Sequence, residues 1–154
     1  MSDRHRESEA RMIDVTAKDV TVREAVAGCT VSMSAETRSA IREKTLTKGD
    51  ALEVARIAGI MGAKKTAELI PLCHPIGIGA VDVEFEDVSD GIDIRASVRT
   101  AERTGVEMEA MTAVALAALT IYDMVKGTER GVEVARLRLL RKSGGRSGDW
   151  SGEL

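Results

Sequence analysis

The 154-residue chain predicts an α+β fold, a ferredoxin-like sandwich whose antiparallel sheet carries its helices packed on one face. Three patterns lead there. Val81, Val83 and Phe85 alternate with Asp82, Glu84 and Glu86, the period of a half-buried strand. Beyond a turn at Ser89-Asp90-Gly91, Ile92, Ile94, Ala96 and Val98 repeat that period, so the two pieces form a hairpin. Over residues 108–126 runs a helix that is apolar almost all round its middle. Such a helix must be covered on more than one side, by its own sheet and by another subunit.

The remaining elements follow in chain order. Residues 1–11 are nearly all charged or polar and read as a disordered arm, leaving one domain over 12–154. Between Met12 and Met33, Ile13, Val15, Val20, Val22, Thr30 and Val31 indicate strand and loop, interrupted at Gly28. Ser34 can cap a short helix reaching about Lys44, with Glu36 in its first turn. Asp50 opens a second helix, and Glu53 makes a capping-box-like pair with it. Leu52, Ala55, Ile57, Ile60, Met61 and Ala63 would give that helix a wide buried face. Pro71 and Pro75 then enforce an irregular segment. After the hairpin and the long helix, Gly127 and Gly131 break the chain, and residues 132–141 make a last strand. The order strand, helix, strand, strand, helix, strand selects the sandwich.

Composition removes whole classes of function. A net charge of -3 gives no general attraction to nucleic acid or anionic membrane, and one Trp, one Tyr and one Phe offer no stacking platform. The longest unbroken apolar run, residues 113–119, is too short to cross a bilayer. Cys29 and Cys73 form no C-x-x-C motif and suit a reducing compartment, so a soluble cytoplasmic protein is expected.

Four polar clusters sit at element ends, where sites are commonly built. Lys48-Gly49-Asp50 is either an anion site at a helix start or simply a cap. In Leu72-Cys73-His74-Pro75 the histidine could carry protons, touch substrate or bind metal, and an ordinary loop histidine fits equally. Glu107 and Glu109, if extended, share a face as paired carboxylates; a helix start attracting acids to its dipole explains one of them better than both. Asp123 and Lys126, three apart on a helix, form an ion pair whose apolar surroundings predict partial burial and mutual pKa tuning. Beyond them, Lys142-Ser143-Gly144-Gly145-Arg146-Ser147-Gly148 could fold into a phosphate-cradling nest, with a flexible tail as the alternative. Glu109 and Asp123 would lie on one helical face yet roughly 20 Å apart, so a shared site requires neighbouring subunits or a long substrate.

Taken together, several motifs resemble the cyclic pyranopterin monophosphate synthase (MoaC-type) family of molybdenum cofactor biosynthesis. They include Met12-Ile13-Asp14-Val15-Thr16, Thr21-Val22-Arg23-Glu24-Ala25, Lys48-Gly49-Asp50 and Ala58-Gly59-Ile60-Met61-Gly62-Ala63-Lys64-Lys65-Thr66. Leu69-Ile70-Pro71-Leu72-Cys73-His74-Pro75, Thr104-Gly105-Val106-Glu107-Met108-Glu109-Ala110 and Leu119-Thr120-Ile121-Tyr122-Asp123-Met124 extend the likeness over nearly the whole chain. The resemblance implies a homohexamer, a trimer of dimers with sites between chains. It implies conversion of 3′,8-cyclo-7,8-dihydro-GTP to cyclic pyranopterin monophosphate with loss of pyrophosphate. It assigns catalytic acid–base roles to Asp123 and Lys126, and substrate contacts to Leu72, Cys73, His74, Met108 and Glu109. Lys48, Glu107 and Lys142 complete the pocket on the same reading. No cofactor or metal site is implied, magnesium entering only with the triphosphate. The departures are Arg146 in place of the usual lysine, Val125 in place of a common cysteine and Gly62 in place of a common alanine. A nucleotide-binding module without turnover, or metal storage through Cys73 and His74, are the competing classes.

Overall fold

A computed structural model describes residues 9–152. Most of the expected N-terminal arm lies outside these; within them, residues 9–20 form irregular chain and a turn ahead of the first strand.

The elements are β1 (Thr21–Ser32), α1 (Ala35–Arg42), α2 (Ala51–Lys64), the one-turn α3 (Thr66–Leu69), β2 (Ala80–Val88) and β3 (Gly91–Glu102), followed by α4 (Glu107–Val125), β4 (Glu133–Ser143) and the two-residue β5 (Trp150–Ser151). The strands pair in the order β2-β3-β1-β4-β5, every pair antiparallel, and the helices lie on one face. The α+β sandwich expected from element order is therefore the fold observed.

The core lies between the sheet and the α2–α4 layer. Ala27, Cys29 and Val31 of β1 and Ile94, Ala96 and Val98 of β3 meet Ala110, Ala113, Val114, Ala117 and Ile121 of α4. Each fully buried Ile or Val here contributes about 1.5–3 kcal/mol relative to exposure. α4 has the length and hydropathy of a membrane span. Its apolar surface instead packs on the sheet on one side and on α2 on the other, which explains its all-round character.

The caps read from sequence are present. Ser34 accepts from the Thr37 N–H, and Asp50 accepts from the Glu53 N–H at 3.3 Å. The reciprocal half of the capping box is absent, because the Glu53 carboxylate pairs with Arg56 at 3.2 Å.

Two expectations change. Gly28 does not interrupt β1, which runs through it; a Cβ there would stand 2.9 Å from Leu140 Cδ1 and 3.1 Å from the Ile94 carbonyl. The glycine serves close approach inside a strand. The buried side of α2 is narrower than expected: Ala55 and Ala63 are buried and Leu52 and Ile60 pack against the core, joined by Ala51, Gly59 and Gly62, while Ile57 and Met61 are exposed, as is Val54. α2 lies so close to α4 that only small residues fit the seam. A Cβ on Gly59 would come within 3.0 Å of the Ala113 carbonyl.

Candidate active site

α4 carries polar groups at both ends, and its rigid axis sets their separation. Glu107 and Glu109 occupy the first turn, Asp123 the last, and Lys126 is the C-cap residue. At about 1.5 Å per residue, the fourteen positions between Glu109 and Asp123 span roughly 20 Å.

At the C-terminal end, Lys126 Nζ lies 2.9 Å from Asp123 Oδ1. Lys48 reaches the same carboxylate from the turn ahead of α2, its Nζ 2.8 Å from Oδ2 and 3.3 Å from the Asp123 carbonyl. The cluster is not partly buried as expected: the Asp123 and Lys126 side chains are 51% and 54% exposed. The buried apolar residues of α4 belong to the faces turned toward the sheet and α2, whereas these side chains leave the helix beyond that packing. The hydrogen bonds from Lys48 and then Lys126 hold the Asp123 carboxyl down to about 2, and the same pairing raises Lys126. The cluster opens on a cavity of about 570 Å³ that Tyr122 and Arg130 also line. Asp50 takes no part, being occupied with its cap and with Lys44 at 3.0 Å. The Lys48-Gly49-Asp50 motif thus divides, aspartate to the helix and lysine to the cluster.

At the other end, Leu72, Cys73, His74, Glu107 and Met108 line one cavity of about 400 Å³. The irregular segment between Pro71 and Pro75 brings the first three there. Lys142 stands beside them on β4, 3.8 Å from Glu107 Oε1 and hydrogen-bonded to Ser147. The paired-carboxylate geometry does not form. Residues 107 and 109 are helical, so they diverge: Glu107 stays in the cavity wall, while Glu109 is only 3% exposed. Glu109 Oε1 receives the Cys73 thiol at 3.7 Å. Burial raises the Glu109 carboxyl above its ordinary value, with Glu107 adding to the effect. Burial, then the Glu109 charge, pushes the Cys73 thiol up to about 11.

The Gly/Ser loop is folded as a turn, with Gly144 and Gly145 at φ 85° and 77°. The Gly144 N–H donates to Asp149 Oδ1 at 3.3 Å, so an internal carboxylate already occupies one of the anion-binding groups expected there.

One chain therefore assembles two separate clusters. Asp123, Lys126 and Lys48 share one, and Leu72, Cys73, His74, Met108, Glu107 and Lys142 the other. Arg11 and Lys18 line the second cavity and were missed in sequence, as was Arg130 in the first. Lys18 stands between two of the quoted opening motifs, the one signal that could have found it. Cys73 and His74 gather no third metal-type ligand among the described residues.

This split constellation sits on a sequence that matches the MoaC family over residues 12–145. The chain belongs to the MoaC family. Its MoaC relatives include the cyclic pyranopterin monophosphate synthase of Corynebacterium efficiens, 54% identical over 145 residues, covering 94% of each chain. The protein of that name from Thermomicrobium roseum is 54% identical over 147 residues, 94% of this chain and 89% of its own. That of Geobacter sulfurreducens is 51% identical over 157 aligned positions, 99% and 98% of the two chains.

Proposed function

We propose that the chain is a cyclic pyranopterin monophosphate synthase, a lyase of early molybdenum cofactor biosynthesis. It converts 3′,8-cyclo-7,8-dihydro-GTP to cyclic pyranopterin monophosphate and releases pyrophosphate. The observation that carries this reading is the Asp123 carboxylate held between Lys48 and Lys126, in a chain of this family.

The reaction opens and remakes C–N bonds, so protons must be delivered to and taken from nitrogen. Asp123 and Lys126 are the acid–base pair. In the free protein, Asp123 is too weak a base near neutrality, its carboxyl lying at about 2. A triphosphate that recruits Lys48 or Lys126 removes one of the hydrogen bonds depressing it, so substrate binding itself raises the basicity of the carboxylate. The same cations stabilise charge developing on departing pyrophosphate. Leu72, Cys73, His74, Met108 and Glu109 bind the ring system, with Lys142 and Glu107 beside them. No resident cofactor is needed, and magnesium enters as the triphosphate's counterion.

The working unit is a homohexamer, a trimer of dimers, in the cytoplasm, bound to neither nucleic acid nor membrane. Exposed Val54, Ile57 and Met61 on α2 and Leu119 on α4 supply apolar surface for association. Each active site then joins the Asp123 end of one chain to the His74 end of another. Incubating purified protein with the cyclised nucleotide and measuring pyrophosphate and pterin tests the reading. Tight binding without release of either product would make the chain a nucleotide-binding module.

A further inference from the structure

Residues 126–131 lead from α4 toward β4, and none of them is buried. An exposed connection of this kind is ordinarily among the loosest parts of a domain. This one is fastened instead. The Thr128 and Glu129 N–H groups donate to the Val125 carbonyl at 2.8 and 3.0 Å. The Tyr122 hydroxyl donates to the Arg130 carbonyl at 3.0 Å. Between these points the Glu129 side chain crosses to the start of α1. Its Oε2 accepts from the Thr37 hydroxyl at 2.6 Å, the Ser34 hydroxyl at 3.0 Å and the Ser34 N–H at 3.1 Å.

A carboxylate suits that place, because the N–H groups at a helix start attract negative charge. The Thr37 hydroxyl first, then the Ser34 N–H, draws the Glu129 carboxyl below its ordinary value. Ser34 already caps α1 by accepting from the Thr37 N–H at 3.2 Å. What Glu129 adds is a link across 92 positions, from the buried Thr37 to the wall of the Asp123 cavity.

That wall holds one more cation. Lys48, Lys126 and Arg130 all line the cavity, and both lysines are committed to Asp123. The Arg130 side chain has no ion pair among the described residues. A guanidinium presents paired N–H donors that match phosphate oxygens. A phosphate can meet Arg130 without breaking either Asp123 pair, whereas a lysine must give one up.

We propose that Arg130 is a phosphate-binding residue of the site and that Glu129 is the positioning residue that holds it there. The inference rests on the proposed reading of this cavity as the place of the triphosphate, but its first test needs no turnover.

Titration calorimetry of the full-length protein with inorganic tripolyphosphate supplies that test. Arg130→Ala should weaken binding roughly tenfold, and Arg130→Lys less. Glu129→Ala should also weaken it, with circular dichroism unchanged, while Glu129→Gln, which keeps one acceptor oxygen, recovers most of the loss. Added to Arg130→Ala, the Glu129→Ala change should cost nothing further, because it acts through the guanidinium. Thr37→Val cuts the same link from the other side and carries the test if Glu129→Ala does not fold. A wild type that does not bind, or an Arg130→Ala variant that binds equally well, overturns the proposal. So does a Glu129→Ala loss that persists in full when residue 130 is already alanine. In turnover the losses should fall chiefly on KM, and a fall in kcat alone would overturn the proposal as well. The expected binding losses in a protein that releases no pyrophosphate from the cyclised nucleotide would count against the proposed reaction and leave this inference standing.

Discussion

The two ends of α4 hold carboxylates fourteen residues apart whose environments drive them in opposite directions. Asp123 is half-exposed, receives two lysines and falls to about 2. Glu109 is buried, receives one thiol and rises. Residue type does not decide acid–base character here; the local supply of water and cations does. A chemistry that must both donate and accept protons benefits from such a pair. The contrast also distinguishes the two ends of one helix: an exposed, charge-rich end and a packed end whose carboxylate accepts the Cys73 thiol.

The largest effect should come from Asp123→Asn. Removing the charge at nearly constant volume should lower kcat by roughly 10³-fold, with far-ultraviolet circular dichroism and assembly size unchanged. Turnover near the wild-type level would end the acid–base assignment. Adding Lys126→Ala to that variant should cost little more, because the pair acts as a unit. Multiplicative losses would place the two residues in separate steps.

Next comes the division of the site between chains. Lys48 and Asp123 touch within one chain. Mixed Lys48→Ala and Asp123→Asn subunits therefore should not complement, contrary to what the sequence alone allows. His74→Ala mixed with Asp123→Asn, after verified subunit exchange, should recover activity that neither parent shows. Silence in the second mixture would mean that one chain supplies both ends of its site.

A smaller effect concerns the seam that holds the two ends in register. Gly59→Ala sets a methyl 3.0 Å from the Ala113 carbonyl and 3.1 Å from Val83 Cγ2. It should destabilise the fold by about 1–3 kcal/mol, read from urea unfolding. A neutral result would show that α2 can slide outward.

The smallest expected effect is on stability in acid. Asp123 lies at about 2 against an ordinary 3.8, and Glu24, Asp50 and Glu129 are also lowered. Each binds its proton more weakly when folded, so its contribution is present above the ordinary value and lost as pH falls through the folded one. Tm should drop between about pH 4 and 2, less steeply in Asp123→Asn. Glu109 has the opposite sign: its contribution is complete below 4.5 and fades as pH rises through its elevated folded value. An equally steep acid limb in Asp123→Asn would show that Lys48 and Lys126 add nothing to stability.

Much of the architecture was legible because its signals are local. The alternation in β2 and β3, the caps at Ser34 and Asp50, and the breaks at Pro71, Pro75 and Gly127 act over a few residues. The Asp123–Lys126 pair was legible for the same reason, since helical spacing brings the two together. Two residues of the α2 face were misjudged because Ile57 and Met61 are as apolar as core residues, and composition cannot separate a buried apolar residue from an exposed one. Glu109 was misplaced through its phase: two residues on means one face in a strand and nearly opposite faces in a helix.

By itself the amino-acid order determined the element sequence, the antiparallel sandwich and the polar groups at the ends of its longest helix. Only the tertiary structure decided which of those groups meet. Lys48 and Asp123 are 75 positions apart, as the sheet and the α2–α4 seam draw them to 2.8 Å. Cys73 reaches Glu109 across 36 positions because the chain between Pro71 and Pro75 folds over the start of α4. Hydrogen bonds and burial depend on distances through space, which local spacing constrains only within a turn or two; the charge on a carboxylate therefore waits on the fold.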